Sequence, residues 1–237
     1  MSSSTRKKRR PARRAEQPIG LMVFDYVTRV MLGAWFGITG IFYFRNALLH
    51  WENIRDLGVV AHVIDALSIA SVGIFSLFIA GLYIFRLQPI NRFAGLVPAL
   101  TAAAGTFLAW SLLLLKARTD LPAEVKILVT LLVLGGNIYG LIALRHLGRS
   151  FSIFPESRRL ITTGPYHYMR HPLYVAEAIA MLGAMINFLS PEAVIIFATQ
   201  LSMQFMRMGY EEKVLRSTFP EYAAYAKRTA RIIPGIY

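Results

Sequence analysis

Long apolar runs dominate this chain and decide which solvent it folds in. Residues 24–44, 66–85, 93–115 and 127–144 are apolar over nearly their whole length. A helix rises about 1.5 Å per residue, so about 20 such residues cross a hydrocarbon core about 30 Å thick. Lipid offers backbone N–H and C=O groups no partner, so each run is expected to be a helix, which satisfies its own backbone. Two shorter apolar segments follow at 172–189 and 191–206. Between them Asn187-Phe188-Leu189-Ser190-Pro191 reads as a tight turn with a proline restarting the helix. The fold class is therefore expected to be all-α: a polytopic membrane helix bundle of about six transmembrane helices with a C-terminal helical hairpin and an interfacial helix.

Composition agrees. The chain is 55% hydrophobic and 16% charged, with a mean hydropathy of +0.48, which is outside the habit of soluble domains. It has no cysteine, which excludes disulfides, thiolate metal sites, iron–sulfur clusters and cysteine nucleophiles; no metal centre is expected. The formal net charge is +13 and is concentrated near the start, at Arg6, Lys7, Lys8, Arg9, Arg10, Arg13 and Arg14. In a membrane protein such a cluster reads as a topology signal and an attraction to anionic lipid, worth up to about 1 kcal/mol per basic side chain. It does not read as a nucleic-acid-binding arm. Nor does it read as a cleavable signal peptide, because no small-residue cleavage site follows the first apolar stretch.

With the basic tail inside, six helices put both termini in the cytosol, together with the loops around Gln88 and over 145–171. Arg145, Arg149, Arg158, Arg159 and Arg170 fit that orientation, whereas Lys116, Arg118 and Lys126 fall in an outer loop. A bacterial inner membrane is the expected setting. Asp25 and Arg29 stand near the start of the first run, where side chains reach the interface. Gly33, Gly37 and Gly40 permit close helix packing, within the chain or between chains, which leaves the oligomeric state open. The chain divides into a basic tail (1–20), four helices without a motif (21–144) and a region that carries the chemistry (145–237).

Polar density concentrates in that last region. Gly164-Pro165-Tyr166-His167-Tyr168-Met169-Arg170-His171-Pro172-Leu173-Tyr174 places two histidines, an arginine and three tyrosines against the start of a membrane helix. Such a cluster costs desolvation unless something is bound or paired there. Its bland reading is a basic boundary with snorkelling tyrosines. Arg170, Tyr174 and Glu177 share one face if the helical turn extends back to Arg170. A second cluster, Arg207-Met208-Gly209-Tyr210-Glu211-Glu212, follows the hairpin's second arm, with Arg207 and Glu211 four apart on one helix face. Alone it would be an ordinary ion pair at the membrane exit. Both clusters belong to the open end of one hairpin, so they are expected to meet and form a site. Phe219, Tyr222 and Tyr225 then alternate with Glu221, Lys227, Arg228 and Arg231 as an interfacial helix would.

The Gly164-Pro165-Tyr166 turn, the Arg170-His171-Pro172-Leu173-Tyr174 box, the hairpin, Arg207 with Glu211-Glu212, Phe219-Pro220-Glu221-Tyr222 and the late Arg231-Ile232-Ile233-Pro234 occur in this order. Together they resemble the isoprenylcysteine carboxyl methyltransferases and their phospholipid methyltransferase relatives, over about 145–237. The resemblance implies a cytosolic pocket for S-adenosylmethionine with a lipid-side entry for a hydrophobic or prenylated substrate. It implies cofactor contacts at Leu160, Ile161, Tyr166, His171, Tyr174, Glu211 and the adjoining Glu212, and assigns Arg207 to the substrate carboxylate. A sulfonium is a cation, which acidic and aromatic side chains suit, and Arg170 is a candidate to neutralise the cofactor carboxylate. His167 reads as structural. The chain departs from the family's pattern with Ala176 and Pro220 in place of glycines. It also carries Glu177, an intramembrane acid, a candidate substrate contact and a candidate selector of a different acceptor such as an amine, where the eukaryotic carboxyl methyltransferases have a bulky apolar residue.

The resulting expectation is an S-adenosylmethionine-dependent membrane methyltransferase of a lipidic or prenylated acceptor. A carboxylate already ionised at neutral pH needs no base, and its oxygen is preferred over nitrogen as the methylated atom. Two rivals remain. One is a sterol-type membrane reductase using NADPH, whose phosphate Arg158 and Arg159 would meet; the other is a non-catalytic membrane partner subunit.

Overall fold

The computed structural model describes residues 19–52, 59–92 and 95–235; the basic tail at 1–18 and Phe93 lie outside the described residues. The chain is an all-α bundle. Helix α1 (Ile19–Glu52) pairs with α2 (Val59–Phe85), and α3 (Leu96–Phe107) tightens into a 3₁₀ segment, Leu108–Leu114. Helix α4 (Ala123–Leu147) and the one-turn α5 (Pro165–Tyr168) precede the hairpin of α6 (Pro172–Asn187) and α7 (Pro191–Thr218), and α8 (Tyr222–Arg228) closes the chain. Four stretches are long and apolar enough to cross a membrane: Ile19–Trp51, Val63–Phe85, Leu96–Leu114 and Ala123–Ser150. The hairpin supplies the shorter apolar helix α6 and the long α7.

The hairpin turn is built as its sequence suggests. Ser190 accepts a hydrogen bond from the Ala193 N–H at 3.2 Å, and Pro191 occupies the first helical position, whose N–H would have no intrahelical partner. Helix α7 then runs on to Thr218 without a break. Arg207, Glu211 and Glu212 therefore ride on the same rigid rod as the apolar arm, with the turns after Met206 projecting beyond the apolar stretch.

Small residues set the helix spacing. Gly33 and Gly37 face Tyr83 and Ala80 of α2, and a Cβ on Gly40 would come within 2.5 Å of Leu77. This close packing is within the chain. A Cβ on Gly136 of α4 would meet the Ala180 backbone of α6 at 2.6 Å, and one on Gly183 would meet the Val129 carbonyl at 2.8 Å. In lipid, helices associate through such close contact, because the hydrophobic effect does not drive them together.

At one end of the bundle, the loops after α2 and α4 are tied by Leu87 N–H to Arg149 O (2.8 Å) and Ile90 N–H to Ser157 O (2.7 Å). A two-residue antiparallel pairing joins β1 (Asn91–Arg92) to β2 (Glu156–Ser157). At the other end, Arg118 N–H reaches Asn187 O at 2.9 Å. Among the described residues, the loops after α2 and α4 thus share one end of the bundle and those after α3 and α6 the other.

Two expectations need correction. Asp25 does not reach the interface: it is 5% exposed and receives Arg158 at 2.7 Å, Arg86 at 2.8 Å and Arg29 at 3.0 Å. Three cations from α1, the end of α2 and the loop after α4 need a shared counter-charge away from water, and Asp25 supplies it, with Glu156 as second acid at 2.6 Å from Arg158. Tyr222 and Tyr225 are likewise buried, at 1% and 4% exposure. The segment after α8 bridges Met169 to Ala230 and so folds the aromatic face of α8 inward. Lys227 and Arg228 remain exposed on its outer side.

Removing Asp25 would leave Arg86 without its counter-charge and Arg158 with Glu156 alone, and both arginine side chains are 0% exposed. Asp25→Ala is expected to cost about 3–5 kcal/mol, seen as a large fall in the thermal midpoint in detergent, while Asp25→Glu should recover part of it.

Candidate active site

Three segments converge at the end of the bundle where α2, α4 and α7 have their C-termini. The first is the 150–161 loop with α5. Gly164, at φ 62°, makes the turn into α5, and a Cβ there would sit 2.1 Å from the His146 ring, so glycine is demanded both by conformation and by space. The second is the start of α6, where Pro172 takes the first helical position and His171 precedes it. The third is the last three turns of α7, over which α8 folds.

The two sequence clusters meet. The Tyr174 hydroxyl donates a short hydrogen bond to Glu211. His171 places Nδ1 3.9 Å from Glu211 and Nε2 3.2 Å from Glu212. Glu212 also receives Arg170 Nε at 3.0 Å and Arg231 Nε at 3.3 Å. Burial alone would push the Glu212 carboxyl up, but the His171 hydrogen bond and charge, with Arg170 and Arg231, hold it at about 2. Arg170 gives its NH1 to Ala226 O and Thr229 O, both at 2.7 Å. The Tyr225 hydroxyl donates to Tyr166 O at 2.6 Å.

These residues wall the more polar of two adjoining cavities, about 110 Å³ in volume. Of the residues singled out from sequence, Leu160, Ile161, Tyr166, Arg170, His171, Tyr174, Glu177, Arg207 and Glu211 line it. Glu212 does not: it turns behind the wall and locks α7 to Arg170, His171 and Arg231. Burial raises the Tyr166 phenol well above its usual range, which keeps it a neutral donor. The Tyr166 and Tyr222 hydroxyls have no hydrogen-bond partner among the described residues, and buried hydroxyls without partners at a cavity wall invite a ligand acceptor.

A second, larger chamber of about 280 Å³ adjoins the first on its membrane side. It is mostly apolar, walled by residues such as Phe36, Tyr43, Phe75, Trp110 and Met181, with Asn137, Gln200 and Gln204 as polar points. Phe151, Glu177 and Arg207 line both cavities and form the partition between them. Arg207 donates to Gly105 O and Ile153 O, both at 3.2 Å, and lies over the Tyr174 ring at 5.0 Å. Arg158 spends its amino groups on Asp25, Glu156 and the Leu87 carbonyl. That leaves little of it for the phosphate of a nicotinamide cofactor.

Sequence reasoning missed Phe151, Gln200, Gln204 and Asn137. A glutamine four residues from another on an otherwise apolar helix was the available signal for Gln200 and Gln204; Phe151 offered none.

Residues 125–222 match the phospholipid methyltransferase family. The chain is 36% identical over 137 residues to a cobalt-zinc-cadmium resistance protein of Cupriavidus metallidurans, covering 55% of this chain and 60% of that protein. It is 37% identical over 83 residues to a nickel-cobalt-cadmium resistance protein of Alcaligenes xylosoxydans xylosoxydans, covering 34% and 38%. It is 34% identical over 115 residues to protein-S-isoprenylcysteine O-methyltransferase B of Arabidopsis thaliana, covering 46% and 58%. The match thus spans 60% or less of the length of each of these relatives. The likeness carried by the turn, the box and the twin glutamates stands, and it reaches further N-terminal than those motifs, into α4.

Glu212→Gln removes the charge that three basic groups share. It is expected to cost about 1–3 kcal/mol and to expose the chain beyond Thr218 to limited proteolysis, with α1 to α4 staying protected.

Proposed function

From the family likeness of residues 125–222 we propose that this integral membrane protein is an S-adenosylmethionine-dependent methyltransferase of a lipidic acceptor. Its polar cavity and both termini would face the cytosol of a bacterial inner membrane. One observation carries this reading: Tyr174 of the box binds Glu211 of α7, on the wall of a polar cavity that shares a partition with an apolar chamber.

The residues present fit the cofactor. Tyr166 and Tyr174 offer aromatic faces, and Glu211, with a quarter of its side chain exposed, offers a carboxylate; together they suit a sulfonium and a flat base. Leu160 and Ile161 supply apolar contact, and the unpartnered Tyr166 and Tyr222 hydroxyls supply donors. When bound, the cofactor contributes an electrophilic methyl group on positively charged sulfur.

The chain's own part is to hold and shield. Tyr174 fixes one oxygen of Glu211, and His171 approaches the other. Arg170 and Glu212 act as positioning residues: they bind α8, the tail segment and α7 to the box and so keep water from the cavity's closed side. The acceptor's apolar body would occupy the chamber among α1, α2, α3, α4 and the hairpin, with its reactive end at the Phe151–Glu177–Arg207 partition. Excluding water between two reactants and fixing their separation is the main source of acceleration such a site offers. Membrane lipids, and not nucleic acid, are the partners this arrangement suits.

Equilibrium binding of S-adenosylmethionine to detergent-solubilised protein tests the reading. Wild-type protein should bind it, and Glu211→Ala and His171→Ala should each weaken binding about tenfold or more. No measurable affinity in the wild type, or unchanged affinity in both variants, would overturn it.

A further inference from the structure

The partition between the cavities holds an acid and a base that do not pair with each other. Among the described residues, the only hydrogen-bond partner of the Glu177 carboxylate is Gln204, whose Nε2 donates to Oε2 at 3.1 Å. Oε1 has none, although Glu177 lines both the polar cavity and the apolar chamber. Arg207 stands nearby but forms no ion pair with it. Each of its amino nitrogens donates to a backbone carbonyl, of Gly105 and Ile153, and its Nε is buried without a hydrogen-bond partner among the described residues. The contact with α3 is tight: a Cβ on Gly105 would come within 2.7 Å of the Arg207 Cδ. Packing therefore ties Arg207 down, which leaves a poor fork for a ligand carboxylate. Glu177 is the polar group at the partition with a free oxygen.

An ionised carboxylate that is in no direct ion pair, at membrane depth, is costly unless it meets a donor. A ligand ending in a carboxylate would set a second anion beside it, which like-charge repulsion disfavours. A ligand ending in an amine would give Glu177 Oε1 a charge-assisted hydrogen bond and neutralise it. Resting on the proposed methyl-transfer reading for its place in the reaction, we infer that Glu177 is the specificity-determining residue of the chamber. It selects an acceptor whose polar end is an amine over one that ends in a carboxylate. This reverses the preference for a carboxylate oxygen that the sequence resemblance suggested. The reason is physical: the arginine expected to hold the carboxylate is anchored on two backbone carbonyls, and an acid stands where the resemblance expects an apolar side chain. An ammonium must give up a proton to free its lone pair before nitrogen can accept a methyl group, and Glu177 takes that proton at Oε1 while Gln204 holds the other oxygen.

The test needs no cofactor. The solubilised full-length protein is titrated at pH 7 with dodecylamine and, separately, with dodecanoate, and binding is read from the tryptophan emission, since Trp110 lines the chamber. The expected result is that wild-type protein binds the amine at least about tenfold more tightly than the carboxylate. In Glu177→Gln, with an unchanged thermal midpoint, the ratio should fall toward one. Equal affinities or a carboxylate preference in the wild type would overturn the inference, as would a ratio that Glu177→Gln leaves intact. Should Glu177→Gln fail to fold, the wild-type ratio decides alone. Because S-adenosylmethionine binding is measured in its own titration, loss of the methyltransferase reading and loss of the amine preference are separate outcomes.

Discussion

A hydrocarbon solvent gives no partner to a charge or to an open backbone carbonyl, so polar groups at membrane depth must find each other inside the protein. Most of what is specific in this bundle follows from that demand. Asp25 draws arginines from three segments into one cluster, and in doing so fixes the loop after α4 against the first two helices. The 3₁₀ segment after Phe107 alters the backbone pitch of α3 beside the chamber. There the carbonyl of Gly105 accepts from both Gln200 and Arg207 of α7. The polar end of the hairpin is closed in the same way, by Glu211 and Glu212 against Tyr174, His171, Arg170 and Arg231.

The departures from the family's glycine pattern have a local answer at one position. Ala176 is 1% exposed and lies against α4 at two glycines. A Cβ on Gly136 would come 2.8 Å from its carbonyl, and one on Gly140 would come 3.5 Å from its own Cβ. The small residue that close approach requires is supplied by α4 across the seam, so α6 can carry the methyl group. Pro220 is exposed and lies outside the wall of either cavity, and nothing in the structure explains it.

The helices were legible because lipid imposes a length and a polarity that a sequence shows directly; 66–85 falls within α2 and ends with it, and 127–144 falls within α4. The helix ends were less so. Helix α1 begins five residues before the apolar run and ends eight after it, at Ile19 and Glu52, since a helix continues past the hydrocarbon wherever its backbone bonds persist. The meeting of the box with the twin glutamates was legible from the hairpin that joins them. The burial of Asp25 was not, because the arginines that explain it stand 61 and 133 positions away. Tyr222 and Tyr225 have the composition of headgroup anchors, and only the return of Ala230 to Met169 turns them inward.

The chamber shows the limit most clearly. A phenylalanine that lines a cavity and one that faces lipid look alike in sequence, so Phe36, Tyr43, Val72 and Phe75, from helices without any motif, gave no sign of forming a wall. The polar cavity, by contrast, is built largely from residues of the matching region, from Leu147 to Tyr222. The two halves of the chain thus meet at this chamber, where α1, α2 and α3 share the wall with α4 and the hairpin, and Phe151, Glu177 and Arg207 border the polar cavity. Under the proposed function, the likeness to known methyltransferases speaks for the shared chemistry of the polar side. Under that same reading the acceptor would be chosen jointly by the helices outside the match, by α4 and the hairpin that share the chamber wall, and by the one acid that looks into both cavities.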